Sequence, residues 1–586
     1  MTSGTAAFLG VERSLSGRRW VGPSPEEDRQ AETLMQRAGL DPAVARILAR
    51  RGVAPEEARS FLDPALRDLL PNPLSLKDMG EAAARFLQAV DTGEKIAIFA
   101  DYDVDGGASA ALLIDWLRQA GRSATLYVPD RIDEGYGPNE AAMAELAAAH
   151  DLIICVDCGT LSHGPLAAAT GADVIVLDHH LGGETLPPAC AVVNPNRADE
   201  AGALAHLCAA AVVFLMLVEA GRQWRATGRS GPDLLAMLDL VGLATVADVA
   251  PLVGINRAFV RRGLQLMARR ARPGLAALAD VAGLDRPPAA YHLGYLIGPR
   301  VNAGGRIGKA DLGARCLSTS DTAEAHALAE RLDALNTERR AIEAAVREAA
   351  LAEAAARGDG PLAWAAGEGW HPGVVGIVAA RVKEATDRPA IVIGFDGETG
   401  KGSGRSVSGV DLGAAVQRVA QEGLLEKGGG HRMAAGLTVT REKLDAAMER
   451  LGELLSRQGA GLAGPRDLDI AGLLMPGAAS PDLVRAIETA GPFGMGAPAP
   501  RYAFNDQVIH SARIVGESHL KIRFGDGAGP QIDAIAFGGG DTDMGRALLA
   551  HGGARFHLAG RLELNHWQGR ESAELRLEDA APADGA

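Results

Sequence analysis

"IAIFADYDVDGGASAALLIDWL", residues 96–117, runs five apolar residues straight into Asp101, Asp103 and Asp105, then through Gly106-Gly107 into an Ala/Leu-rich stretch. The apolar run reads as a buried strand, and the glycine pair predicts a turn beginning near Asp105. Alternate positions of a strand share a face, but a turn at that point lets the last two side chains fan around a site beyond the strand end. Three carboxylates so close repel one another and raise each other's pKa unless a cation sits among them. Oxygen donors at this density suit a hard divalent ion.

The same pattern recurs downstream. "KIAIFAD", "ATLYVPD", "DLIICVD" and "ADVIVLD" alternate with helical segments, which predicts a parallel sheet with helices on both faces, an α/β fold. Each strand ends in an acid, so Asp101, Asp130, Asp157 and Asp178 should meet at the carboxyl edge, where open α/β sheets bind ligands. His179 and His180 follow Asp178 directly. A single histidine is more often an ordinary surface or core residue than a ligand, but a pair aligned with acidic strand ends points to metal. Asp248 lies in the apolar "LVGLATVADVAPL", where an unpaired carboxylate is costly to bury, and is a further ligand candidate.

Carboxylate and imidazole without clustered thiolates favour Mn²⁺ or Mg²⁺ over structural zinc. Cys155 and Cys158 form a C-x-x-C, but they flank Asp157 at a strand end rather than opening a helix, and no second pair accompanies them. So many hard ligands imply two ions per site, an arrangement that activates water and clamps a phosphoryl transition state. The chemistry expected is phosphoester hydrolysis, with Asp157, central among the strands, as the bridging carboxylate.

The 586 residues, 47% hydrophobic, exceed one core and predict several domains. Residues 1–75 read as an N-terminal helical extension, 76–318 as the first α/β domain, and 319–358 as a long, charged, alanine-rich connector helix. A smaller α/β domain is expected over 359–460. Over 465–580 short period-two runs such as "HLKIRFGD" and "ARFHLAGRLELN" predict a β-barrel. No membrane-spanning run or export signal is read, and the few cysteines, odd in number and expected in the core, suit a reducing compartment; the expectation is cytoplasmic. A net charge of −15 argues against a wholesale polyanion-binding surface while leaving room for a local basic groove. Residues 256–274, "NRAFVRRGLQLMARRARPG", concentrate arginines on a helix that reads equally as a solvated face or a nucleic-acid contact.

"DYDVDG" (101–106), "VDCG" (156–159), "LDHH" (177–180) and "ATVADVAPL" (244–252) resemble, in order, the four motifs of the DHH phosphoesterase family. "GPRVNAGGRIG" (298–308), "WHPGVVGIVAARV" (370–382), "GSGRS" (402–406) and "GGGHRMAAG" (428–436) are similar to its associated second domain, DHHA1. "FGMGAPAP" and the barrel resemble the OB-like region of the family's bacterial branch of single-strand-specific 5′ to 3′ DNA exonucleases, which shorter members lack. Likeness therefore extends from about residue 75 to the end.

The resemblance implies that Asp103, Asp105, Asp157, His179 and Asp248 ligate two Mn²⁺ or Mg²⁺ ions, with Asp101 and His180 close to the metals or the scissile phosphate. Arg131, Arg300, Asn302, Arg306, Ser403 and Arg405 are implied to bind the strand's terminal phosphate and backbone, with His431 lining the cleft. The loop "GSGRS" is chemically suited to this, offering backbone N–H groups, a hydroxyl and a guanidinium to phosphate oxygens. Gly304-Gly305 stands where the family more often carries paired alanines, and Gly107 where a slightly larger residue is common. The implied substrate is single-stranded DNA, held in part by stacking and electrostatics on the barrel, with Trp370, Tyr502 and Trp567 as stacking candidates or core residues. Family expectation adds single-strand-binding protein and a helicase as partners, in DNA recombination and repair, and no membrane. Two rivals stand beside this reading: a phosphodiesterase of short oligonucleotides, cyclic dinucleotides or pyrophosphate, and a catalytically silent DNA-binding scaffold.

Overall fold

The computed structural model describes residues 6–583 except 131–133, 462–465, 528, 568 and the side chain of Trp567. The chain divides into two compact units, Leu70–Ala463 and a second made from both ends, Met1–Leu69 with Gly464–Ala586.

In the first unit, β1 (Ile96–Ala100), β2 (Ala124–Tyr127), β3 (Leu152–Val156), β4 (Asp173–Leu177) and β5 (Ala191–Val193) form a parallel sheet in the order β2-β1-β3-β4-β5. Every residue of β1 and β3 is buried, as expected of strands covered on both faces, and this explains why they read as continuous apolar runs rather than alternating ones. The strand order reverses between β1 and β3, so a crevice opens beyond their carboxyl ends. Helix α1 (Val104–Gln119) follows β1; α2 (Ala209–Ala226) and α3 (Leu238–Ala247) pack against α1. Helix α4 (Gly298–Ile307) then leads towards the 35-residue α5 (Thr322–Ala356), the expected connector.

A second sheet follows in the same unit: β6 (Ala363–Glu368), β7 (Ala390–Asp396), β8 (Thr399–Arg405), β9 (Lys427–His431) and β10 (Ala434–Thr440), ordered β9-β10-β8-β7-β6. Helix α6 (Pro372–Thr386) packs on β7 and β8. Only β6–β7 is parallel; β8, β9 and β10 are antiparallel.

The other unit is built on a closed barrel of β11 (Tyr502–Val515), β12 (His519–Gly525), β13 (Gln531–Ala536), β14 (Arg555–Trp567) and β15 (Arg570–Pro582). Strands pair in the order β11-β12-β13-β15-β14, and β11 pairs β14 to close the barrel, while the short strand Gly472–Leu473 adds in parallel to β11. Phe504 and Phe524 meet edge to face inside, 5.1 Å apart. The N-terminal residues, expected as an extension, share this unit's core. Helices Pro25–Ala38 and Pro42–Arg50 bury Leu34 and Leu48 in the same apolar cluster as the barrel interior. Strand Arg19–Val21 pairs in parallel with Asp467–Asp469. Fully buried Trp20 donates its indole N–H to Asp579 at 2.9 Å. An amphipathic helix pair needs a surface on which to bury its apolar stripe, and here the barrel supplies it.

Candidate metal centre

Helix α1 starts earlier than the glycine pair suggested. Asp103 is its N-cap, with Oδ1 accepting from the backbone N–H of Asp105 (2.8 Å) and Gly106 (3.2 Å), so Asp105 already sits in the first helical turn. The reason is capping: a carboxylate at the N-cap satisfies otherwise orphaned helix donors and faces the positive end of the helix dipole. Gly106 serves close approach rather than a turn, because a Cβ there would lie 2.4 Å from the Asp101 carbonyl oxygen. Asp105 is buried and accepts from Ala209 N (2.7 Å) and Ala210 N (2.8 Å), the opening residues of α2. Two helix N-termini therefore converge on this acidic segment.

Asp157 follows β3 in the left-handed region, φ +62°, uncommon for a non-glycine residue and frequent at functional sites. Its carboxylate is buried, and Oδ1 accepts no hydrogen bond from the described residues although His179 Nε2 lies 3.3 Å away. His179 also stands 3.7 Å from Asp105 through Nε2 and 3.8 Å from Asp248 through Nδ1. Donor atoms gather within 4.8 Å of one another in three overlapping groups: Asp101/Asp103/Asp157, Asp157/His179/His180 and Asp105/His179/Asp248. Thus all the acids and histidines expected in the metal site converge at the switch point of the sheet. Asp130 takes no part in these groups; its backbone N–H donates to Glu134.

At about 4 Å and an effective dielectric near 20, each like-charged pair costs about 4 kcal/mol. Without compensation the cluster therefore retains protons. Burial, then Asp103, Asp105 and Asp101, push the Asp157 carboxyl well above the usual range. Burial and then Asp105 and Asp103 push Asp248 up to about 9, and Asp105 is raised chiefly by burial. A divalent ion substitutes positive charge for those protons, and a buried carboxylate oxygen without a partner is the donor such an ion needs. The residues present fit a hard divalent cation.

Asp178, the first residue of the Asp-His-His, does a different job. It is buried, and its oxygens accept from Thr160 N and Oγ1, His179 N, His180 N and His180 Nδ1, all between 2.7 and 3.1 Å. Burial opposes ionisation, but the bonds and charge from His180 and Thr160 overcome it and hold the carboxyl well below the usual range. In return, despite burial, Asp178 raises His180 to about 9. Asp178 thereby fixes the ring of its neighbour. Asn194 and Asn196 complete the clamp by donating to the backbone carbonyls of His180 (2.8 Å) and His179 (2.6 Å).

Tyr136, which was not among the expected site residues, hydrogen-bonds His180 (3.2 Å to Nε2) and donates to the Asp157 carbonyl (3.2 Å). Burial and then Asp157 push its hydroxyl up, so it remains a donor. The "EGYG" that carries it was visible, but nothing in its spacing links it to His180. Cys155 and Cys158 are buried, and burial pushes the Cys155 thiol up to about 12, so they are core residues rather than a redox pair. Cys190, expected in the core with them, is exposed.

The expected phosphate contacts separate into two groups. Ser403 and Arg405 lie on β8 with Arg405 Nη1 donating to Ser403 Oγ at 3.0 Å. They line a cleft of about 350 Å³ with Lys401, Gly373 and Gly430. His431 ends β9, exposed, and pairs with Ala434, which in turn pairs with Arg405. Arg300 and Arg306, by contrast, tie elements together: Arg300 pairs with Asp333 of α5 (2.8 Å), and Arg306 donates to the Gly373 carbonyl at the start of α6 (3.1 Å).

Asn302 accepts from Val104 N at 2.9 Å through Oδ1 and so holds the start of α1. An amide side chain on α4 is well suited to an orphaned helix donor. Arg131 lies outside the described residues. The glycine at 305 has a local cause, since a Cβ there would fall 2.1 Å from the Tyr102 ring.

Residues 95–245 match the DHH family, N-terminal domain; 359–457 match the DHHA1 domain and 470–579 the RecJ OB domain. The chain is 36% identical over 571 residues to the single-stranded-DNA-specific exonuclease RecJ of Dickeya dadantii, covering 93% of this chain and 96% of that protein. Escherichia coli RecJ is 35% identical, with 94% and 98% covered. The crystal structure of Thermus thermophilus RecJ in complex with Mn²⁺ is similar with a TM-score of 0.80 at 31% identity, covering 96% of this chain and 79% of that one; a Mg²⁺ complex of the same protein has a TM-score of 0.73. With identity of this order along nearly the full length of two relatives and matches to all three domain families, the chain belongs to the RecJ family of DHH phosphoesterases.

Proposed function

We propose that this protein is a metal-dependent exonuclease that degrades single-stranded DNA from the 5′ end to 5′ mononucleotides, in recombination and repair. The observation that carries the proposal is the convergence of Asp101, Asp103, Asp105, Asp157, His179, His180 and Asp248 at one sheet edge, around an Asp157 Oδ1 that has no hydrogen-bond partner among the described residues. The relatives are exonucleases by name, and the Thermus protein is described with Mn²⁺ and with Mg²⁺.

In this reading Asp103, Asp105, Asp157, His179 and Asp248 would hold two Mn²⁺ or Mg²⁺ ions, Asp157 being a member of two of the donor groups. When bound, such ions supply Lewis acidity to a phosphoryl oxygen and make water acidic enough to attack near neutral pH. His180, oriented by Asp178 and Tyr136, would lie close to the metals or the scissile phosphate and hydrogen-bond the developing charge. Asp101 lies beside Asp103 and Asp157 and positions the reacting group. Ser403 and Arg405 receive the terminal phosphate in the cleft that they line, with His431 at its edge. Arg131, Arg300, Asn302 and Arg306 contact the strand's backbone; Arg300 has donors beyond the two used on Asp333 and Leu296.

We assign residues 1–75, 76–318, 319–358, 359–460 and 465–580 to the extension, DHH, connector, DHHA1 and OB-like parts. Single-strand-binding protein and a helicase are the partners expected to expose and deliver the strand. Reduced, unpaired cysteines are consistent with the cytoplasm, where we place the protein. Among the described residues no helix is long and apolar enough to cross a membrane.

The test is a time course on single-stranded DNA labelled at either end, with Mn²⁺ or Mg²⁺ and a duplex control. Early mononucleotide release from the 5′ end with duplex spared is expected. Cleavage confined to dinucleotides or pyrophosphate would move the protein to the small-substrate reading, and inactivity with both metals would favour the scaffold.

A further inference from the structure

Two of the aromatic residues that the sequence offers for base stacking are committed elsewhere. Tyr502 is buried in the barrel interior, and Trp370 packs against the apolar cluster under α6; the side chain of Trp567 lies outside the described residues. A different pair stands in solvent. Tyr291 and Tyr295 are 49% and 67% exposed, with ring centroids 4.8 Å apart and planes inclined by 22°. By contrast, Trp20, Trp116, Phe86, Phe99, Phe259, Phe504 and Phe524 are fully buried.

The pair belongs to the short helix Ala290–His292 and the π-helical turn Leu293–Ile297 that continues it. π-Turns are rare and frequent at functional sites. Leu293 and Ile297 are buried and anchor the turn, Gly294 lies against Val246, and Gly298 against Ala247 and Val104. The inner side of the turn therefore abuts the two residues preceding Asp248 and the first residue of α1, while the tyrosines face outward. Arg381 of α6 is an electrostatic neighbour of Tyr295. Arg339 of α5 has Arg306, Arg340 and Arg381 as its positive neighbours. Acids are interleaved: Glu343 binds Arg339 and Glu384 binds Arg381. Exposed stacked rings with a guanidinium nearby are a combination that single-stranded nucleic acid recognises, since base faces stack on aromatics while phosphates follow positive charge.

We propose that Tyr291 and Tyr295 form a stacking platform for nucleobases of single-stranded DNA whose backbone passes Arg381, outside the metal centre. The inference rests on the exonuclease reading and adds to it a second point of hold on the strand. It makes Tyr295 a determinant of strand affinity and not a group that touches the reacting atoms.

The experiment uses the full-length protein and single strands of about twelve nucleotides carrying 2-aminopurine at successive positions, with EDTA present to prevent hydrolysis. Tyr295→Ala and Tyr291→Ala/Tyr295→Ala should bind roughly five- to 150-fold more weakly, the range expected for loss of one stacked base. They should also lose the fluorescence quench at one or two adjacent positions. Tyr295→Phe keeps the ring and should bind as the unmodified protein does, and dinucleotide hydrolysis with Mn²⁺ should be unchanged in all variants. Binding by the alanine variants within about twofold of the unmodified protein, below the smallest loss that one stacked base predicts, with an unaltered quench pattern, overturns the platform alone. Equal loss in the Phe variant, or a parallel loss of dinucleotide hydrolysis, overturns it too, pointing to a disturbed turn next to Asp248. If the unmodified protein neither binds nor cleaves single strands, the exonuclease reading itself fails and the platform falls with it.

Discussion

The metal centre and the Ser403–Arg405 cleft are both polar sites on α/β scaffolds, but they are organised in opposite ways. At the metal centre like charges are buried together and held by backbone donors: Asp103 by its own helix start, Asp105 by the start of α2, and Asp178 by the residues around it. In the cleft a serine and an arginine lie on a strand that also carries Gly402 and Gly404, and Ser403 faces Gly436 of the paired strand β10. The first site is repulsive until a cation enters. The second is complementary to an anion as it stands. The difference teaches that a chain can preorganise a site either by enforcing a conflict that its ligand relieves or by leaving donors ready to be filled.

Breaking the conflict should have the largest effect. Asp157→Ala removes the carboxylate shared by two donor groups, and because each ion contributes several kcal/mol of transition-state stabilisation, hydrolysis should fall on the order of 10³-fold. Binding of single-stranded DNA should persist. Loss of binding to the same degree would show that Asp157 supports the fold rather than the ions. Arg405→Ala acts on the complementary site and should weaken binding of a 5′-phosphorylated strand about ten- to 100-fold, the worth of one charged hydrogen bond, with a smaller change for a strand ending in hydroxyl. Equal losses for the two ends would remove Arg405 from the terminal-phosphate pocket.

The contrast also appears in stability. Asp248 has a folded pKa raised to about 9 and Asp157 is raised in the same direction, so the metal-free folded state holds protons that the unfolded chain releases above about pH 4. Stability from these groups is complete below that value and is lost as pH rises towards 9; His180, raised to about 9, acts in the same sense from its unfolded value upward. The melting temperature in EDTA should therefore fall between about pH 5 and 9, and Mn²⁺ should raise it most at the alkaline end; a rise with pH in EDTA would contradict the buried repulsion. The smallest effect is expected of Asn302→Ala. Loss of its bond to Val104 N should cost about 1 kcal/mol and lower kcat more than it raises KM, whereas a KM effect alone would show that contact with the strand is its main role.

The parts of this arrangement that were legible in the sequence are those with a local signature. Strands β1 and β3 are continuous apolar runs ended by an acid, so both their burial and the edge at which Asp101 and Asp157 meet could be read directly. His179 and Asp248 were found because histidine pairs and buried acids are anomalous in such surroundings. Asp178 shows the limit: its chemistry is that of its neighbours, but its role depends on Thr160 and the Asn194 loop, which only the folded chain brings near. Asn302 and Tyr136 show it again, since a side chain that reaches a backbone group 198 or 21 residues away leaves no periodicity to detect. The start of α1 was misplaced because two glycines suggested a turn, while the N-cap carboxylate of Asp103 made the helix begin before them.

The pairing of Arg19–Val21 with Asp467–Asp469, and of Trp20 with Asp579, has a consequence for synthesis. About 400 residues, Leu70–Ala463, leave the ribosome between the two halves of that unit, which at typical elongation rates is a delay of roughly 20–80 s. Throughout that interval the apolar stripes of helices Pro25–Ala38 and Pro42–Arg50 have no barrel to cover them, so they stay exposed on the nascent chain until β11–β15 emerge.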